Sequence, residues 1–282
     1  MEVYQLNGVR KIFYSFSGSS SGIGVIDTFS TGDAWLTGAT GGSYTGTLIG
    51  AFTPAVGSQI LMRTADNGYM YLLENNYVHK VDGTTDGGSA GTVTPNVLKF
   101  PTKFKIADGV DFRGYFYIAI NESPISAIHY NAECGVYIWD RQSTAVRMRE
   151  FIKVDNCREI IRIMISPKGD LILFVRASNG IIEIRKFNGQ TFEAIQDLPQ
   201  SAGFSYKDSI TSGGNMLFWI SYVGDIYAYG SYFNDSKDCL YKIGKIKAAD
   251  SNFINNGGGA LIFGSANGTE SLLVSYTTAG IS

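Results

Sequence analysis

Two histidines, His79 and His129, make up the whole imidazole complement of this 282-residue chain. Imidazole is the side chain that titrates near neutral pH, so acid–base or nucleophilic chemistry at a histidine has only these two positions to use. His79 alternates with Tyr77 and Val81 along an apolar stretch, which reads as a packed or rim histidine of a strand. His129 lies in a long loop just before Tyr130 and is the exposed candidate for a ligand or partner contact. Asp82 and Asp86, four residues apart in DGTTDGG, are the candidate metal ligands, since clustered carboxylates among glycines suit a hard cation such as calcium. The D-x-D-x-D-G order of an EF-hand loop is missing, and Asp-Gly is a common turn dipeptide, so the turn reading leads. No cofactor motif is present and none is expected.

Aromatic residues offer a different chemistry. Phe218, Trp219, Tyr222, Tyr227, Tyr229, Tyr232 and Phe233 crowd a short stretch. Most of them belong in a core. Tyr222, Tyr232 and Phe233 fall near strand ends, where a ring can stack on a sugar or on a partner's side chain. These three and His129 are the candidate ligand- or partner-binding residues.

Composition narrows the classes further. Net charge is −2 and charged residues make up 17% of the chain. The densest basic run, Arg147–Lys153, alternates cations with apolar residues at its start, as on a strand with one wet face. That pattern argues against nucleic-acid binding, which needs a clustered basic surface. Cys134, Cys157 and Cys239 are far apart, odd in number and without zinc-ligand spacing, so free thiols in a reducing compartment are expected. The first residues, MEVYQLNGVRKIFYSF, carry no basic region followed by an apolar core, and no apolar run is long enough to cross a bilayer. The expectation is synthesis in the cytoplasm without membrane insertion.

Thirty-four glycines and only six prolines, with 17 Tyr and 17 Phe, suit many short strands joined by tight turns. No segment shows helical apolar spacing over three turns. The stretch Ile161–Ala194 reads as strands joined by turns, and its middle recurs: Gly169 precedes DLILF, Gly214 precedes NMLFW, and Gly259 precedes ALIF, at an unchanged step of 45 residues. Gly68 and Gly114 occupy the matching places upstream, with a longer loop at Asn121–Glu133 before Gly169. These five glycines are predicted to end turns at positive φ. A period near 45 with four strands per unit is the pattern of a β-propeller blade. The expected fold is all-β, a single propeller over residues 1–282 with six four-stranded blades, five being the alternative. The last unit shows three strands at most, and Glu2–Leu6 is the candidate for its missing strand.

The turn Ile165–Leu171, ISPKGDL, resembles the F-S-P-D-G-x-x-L turn of WD40 repeats. Asn179–Ile184, NGIIEI, is similar to the D-G-x-I-x-V that follows it, and Gly135–Asp140 ends in Trp139-Asp140, like the third strand of such a repeat. The resemblance implies a WD40-like propeller and a platform for protein interaction. The functional expectation is a non-catalytic structural or interaction module within a larger assembly of other protein chains, with a viral tail or other virion component as the setting. The alternative is a carbohydrate-binding propeller, with glycans as partners, and the third reading is a propeller-type glycoside hydrolase.

Overall fold

The computed structural model describes residues 2–6, 9–16, 22–27, 47–48, 52, 55, 60–82, 92–122, 133–204, 210–231, 237–245, 259–266 and 269–276. The strands are β1 (Glu2–Leu6), β2 (Val9–Phe16), β3 (Gly22–Asp27), β4 (Thr47–Leu48), β5 (Ile60–Thr64), β6 (Met70–Glu74), β7 (Tyr77–Asp82), β8 (Thr92–Lys99), β9 (Phe104–Phe112), β10 (Tyr115–Glu122), β11 (Gly135–Trp139) and β12 (Phe151–Lys153). They continue as β13 (Cys157–Ile165), β14 (Leu171–Ala177), β15 (Ile182–Phe187), β16 (Phe192–Asp197), β17 (Ile210–Gly213), β18 (Met216–Ile220), β19 (Asp225–Gly230), β20 (Cys239–Lys245), β21 (Gly259–Ala266) and β22 (Thr269–Tyr276). Among the described residues every pairing is between sequence neighbours and antiparallel, giving the sheets β1–β4, β5–β8, β9–β12, β13–β16 and β17–β20, followed by the pair β21–β22. Such successive four-stranded meanders are propeller blades. The fold is the all-β propeller expected, and the six sheets match the six-blade reading. Among the described residues the only helical segments are the 3-10 turns Met148–Glu150 and Gln200–Ala202. No helix among them is long and apolar enough to cross a membrane.

One expectation is corrected here. Glu2–Leu6 is the first strand of the first sheet, paired with β2 from Glu2↔Phe13 to Leu6↔Val9, and not a fourth strand for the last unit. The two residues between them in the sequence are Asn7-Gly8, the dipeptide that most favours a two-residue hairpin, and a local hairpin forms at a lower closure cost than a pairing across the whole chain.

The turn glycines take the backbone shape their spacing implies. Gly68, Gly114, Gly169 and Gly214 have φ of 82°, 81°, 80° and 52°. At Gly169 the turn is closed by hydrogen bonds between Ser166 and Asp170 and from Gly169 N–H to the Ser166 carbonyl, with no atom near the place a Cβ would take. The demand there is conformational, not one of space. Gly259 is the first residue of β21.

The chain divides into two compact units, residues 1–124 with 135–152, and residues 125–134 with 153–282. In the first, β5–β8 packs on β9–β12 through Tyr71, Phe116 and Trp139, whose ring centroids lie 5.0–6.4 Å apart. These tilted and edge-on contacts add to what burial alone contributes. In the second, β13–β16 packs on β17–β20 through Phe174, Phe204 and Trp219, at 5.5–6.2 Å. Large rings fit these seams because both faces of an inner strand are covered, as the all-buried β6 shows.

Candidate functional site

Of the aromatic residues singled out in the sequence, Trp219, Tyr227 and Tyr229 are buried, and Tyr222 is 40% exposed. Tyr232, Phe233, His129 and Asp86 lie outside the described residues, as does the side chain of Asp82. The site therefore builds outward from Tyr222.

Tyr222 sits in the turn between β18 and β19. Ser221 closes that turn: its N–H donates to the Asp225 carbonyl, its hydroxyl accepts from Asp225 N–H, and Gly224 at φ 77° donates back to its carbonyl. The segment before β17 fixes the ring. Trp219 Nε1 donates to the Ala202 carbonyl at 2.8 Å, Tyr227 hydroxyl bonds Ser201 at 3.1 Å, and Tyr222 N–H donates to the Gly203 carbonyl at 2.8 Å. Gly203 lies directly against the phenol ring. A Cβ there would come within 2.8 Å of ring carbon Cε2, so glycine is what lets the ring approach the backbone this closely.

Across the seam, Arg176 Nη2 donates to the Tyr222 hydroxyl at 3.2 Å, and its Nε lies 3.4 Å from Glu159 Oε2. Arg176 and Glu159 are cross-strand neighbours on β14 and β13, but only because the register shifts between Ile160 and Arg162; a second shift follows between Cys157 and Glu159. The two bulges re-aim the side chains at this end of the sheet. Burial works against the charge on Arg176, and the Tyr222 hydroxyl and the Glu159 charge outweigh it, so its pKa rises and the guanidinium stays charged. Ile181, in the turn after Arg176, and Val223, beside Tyr222, are also exposed, at 41% and 42%.

Spacing and composition missed Arg176 and Glu159. Arg176 ends the apolar run LILFV just before Asn179-Gly180, so a charge at the mouth of a turn was visible. Its partnership with Glu159 depends on a bulge that no residue pattern marks. What the cluster offers is an exposed ring, a planar donor and a carboxylate acceptor on one edge, with apolar side chains beside them. That set suits a ligand carrying both hydroxyls and a C–H face.

The opposite end of the same seam is different. A cleft lined by Ser166, Lys168, Asp170, Lys186, Asn215 and Tyr229 encloses about 40 Å³. Ordered water needs about 10–15 Å³ each and small-molecule sites run to several hundred, so this space suits a few waters only. Its lysines are engaged, Lys186 with Asp170 at 2.8 Å and Lys168 with Asp238.

His79 is 4% exposed. Its Nδ1 accepts the Asn96 N–H at 3.1 Å, and its Nε2 lies 3.3 Å from Glu74 Oε2. Glu74 Oε1 in turn accepts the Ala55 N–H at 2.6 Å. Burial outweighs the attraction of Glu74 and lowers the histidine pKa. Among the described residues no three His, Cys, Asp or Glu side chains gather to hold a metal ion.

No protein-family model matches this chain, and no curated protein matches it in sequence. Solved structures do match in fold. A triple arginine-to-alanine mutant of AofleA from Arthrobotrys oligospora is similar at TM-score 0.51 and 10% identity, over 96% of this chain and 83% of that one. The Trypanosoma rangeli sialidase in complex with sialic acid is similar at 0.50 and 10%, over 96% of this chain and 52% of that one, so this chain spans about half its length. Aleuria aurantia lectin, a fungal lectin with a six-bladed β-propeller fold and a fucose recognition mode, aligns at 0.49 and 13%, over 99% and 95%. At these identities the likeness is one of fold.

Proposed function

We propose that this chain is a carbohydrate-binding propeller and that the Tyr222–Arg176–Glu159 edge is where it holds a sugar. One observation carries the reading: Tyr222 packs close against Gly203 and is 40% exposed, with a guanidinium at 3.2 Å from its hydroxyl and a carboxylate 3.4 Å beyond. A pyranose presents one C–H face to an aromatic ring and its hydroxyls to donors and acceptors around the rim. The Trypanosoma rangeli sialidase, of like fold, has a sugar, sialic acid, bound to it, which supports the class of ligand and not its identity.

A glycan array followed by calorimetry on the best ligand tests this. Tyr222→Ala is expected to weaken binding at least tenfold, about 1.4 kcal/mol, and Tyr222→Phe to weaken it less because the ring remains. An empty array, or a ligand whose affinity ignores Tyr222→Ala, overturns the proposal.

A second reading is an interaction module of a larger assembly, in keeping with the WD40-like turns. It is favoured by two exposed apolar side chains, Val223 next to Tyr222 and Ile181 in the turn after Arg176. Light scattering separates the two: a monomer of about 30.6 kDa that binds glycans supports the first, and a defined oligomer without glycan binding supports the second.

A further inference from the structure

Cys134 and Cys157 are both buried, at 0% and 3% exposure, whereas Cys239 on β20 is exposed, and all three are free thiols. Cys134 stands immediately before β11 and Cys157 opens β13. Three contacts hold them side by side. Val154 N–H donates to the Cys134 carbonyl at 3.0 Å. The Cys134 thiol donates to the carbonyl of Arg158, the residue after Cys157, at 3.3 Å. The Cys157 thiol is itself hydrogen-bonded with Cys134, and that contact, with burial behind it, pushes the Cys157 thiol well above its ordinary value. In the folded, reduced protein the Cys157 thiol is thus held protonated and both sulfurs are shielded.

The place of the pair in the chain gives it a consequence. Residues 135–152 belong to the first compact unit, and Cys134 and the chain from Lys153 onward belong to the second. The two cysteines bracket the excursion that carries β11 and β12.

We propose that Cys134 and Cys157 form a disulfide when the chain folds in the presence of a small-molecule disulfide oxidant, clasping the loop 134–157. One cysteine thiolate attacks a sulfur of the oxidant, for example oxidised glutathione, and releases one thiol. The second thiolate attacks the resulting mixed disulfide, forming the protein S–S bond and releasing the second thiol. Two electrons pass from the cysteines to the oxidant, and their two protons end on the released thiols. Because both sulfurs are buried, the exchange runs during folding or through a local opening, not on the closed native state. The clasp shortens the unfolded chain's accessible ensemble and so stabilises the fold.

The test uses the full chain with Cys239→Ser, which removes the exposed thiol, unfolded and refolded in glutathione buffers of graded poise. Free thiols are then titrated in denaturant, and the unreduced digest is mapped by mass spectrometry. Loss of both remaining thiols, a cross-linked Cys134–Cys157 peptide and a melting temperature roughly 5–10 °C above the reduced form are expected. Reduction reverses all three. If Cys239→Ser does not fold, the native protein alkylated at its exposed thiol serves instead. Two thiols still titratable after refolding in the oxidised buffer, glutathione adducts in place of the cross-link, or a cross-link with no rise in melting temperature overturns the proposal.

Discussion

Two inter-sheet seams carry their charges in opposite ways. Where β5–β8 meets β9–β12, Asp108 is fully buried and accepts from Arg63 Nε at 2.9 Å and Nη2 at 2.6 Å. One turn away, Arg141 donates to Asp66, to Asp111 at 3.0 Å and to the Gly114 carbonyl at 2.8 Å. The Arg141 bond holds the Asp66 carboxyl below its usual range, and burial pushes that of Asp111 above it. Where β13–β16 meets β17–β20, the middle is aromatic, and Arg176 and Glu159 stand at the rim with side chains 21% and 32% exposed. The first arrangement spends its cations on holding sheets together. The second leaves a cation, an anion and a ring part-exposed at the rim, and the proposed sugar site rests on that difference.

The sharpest way to break this contrast is to truncate one charge in each seam. Asp108→Ala is expected to cost about 3–5 kcal/mol, because it removes the buried carboxylate that accepts two bonds from the Arg63 guanidinium. Arg176→Ala, losing a half-open pair, is expected to cost within about 1 kcal/mol. Urea unfolding at neutral pH measures both. Equal losses would erase the distinction between a structural and an available arginine.

Gly169→Val comes next, at about 1–3 kcal/mol, since a β-branched residue at φ 80° is strained even with open space around it. An unchanged melting temperature would mean that the repeat glycines are not what shapes the turns. The same residues show how much of the molecule the sequence makes legible. The 45-residue step predicts blades, and it returns in the structure as the separation of the partners that bond across seams: Arg63 with Asp108 and Asp66 with Asp111 at 45, Arg176 with Tyr222 at 46. Equivalent positions on successive blades face each other, so the period foretells these pairs once the fold is known. Tyr222 was legible as a strand-end aromatic. Glu159 was not, because the register shift between Ile160 and Arg162 sets its alignment with Arg176, and a one-residue slip changes which face a side chain takes. The pairing of Glu2–Leu6 escaped for a related reason: alternation marks a strand without naming its neighbour.

His79 sharpens the first seam's sheet as a place where buried polarity depends on pH. Glu74 and Tyr77 are the titratable groups the described contacts set against it. Its folded pKa is lowered, so the unfolded chain takes the proton first as pH falls through about 6.5. The stability this histidine contributes is complete above that pH and is lost below it. Between pH 7.5 and 5.5 the native protein is therefore expected to lose more stability than His79→Gln, and parallel losses would show that Glu74 accepts the charge without penalty.

The smallest effect on stability belongs to the residue given the largest role in binding. Tyr222→Ala removes a ring that rests on Gly203 and a hydrogen bond from Arg176, both at the solvent edge, and surface changes of this kind stay near 0.5 kcal/mol. A near-native melting temperature with sugar binding lost is the expected pairing. It separates a site from a strut: were Tyr222 to act as Asp108 does, its loss would register in unfolding before it registered in any ligand. If instead the melting temperature falls by as much as for Asp108→Ala, the exposed ring is holding the Gln200–Phe204 segment in place, and the aromatic edge belongs to the architecture of the second seam and not to its ligand.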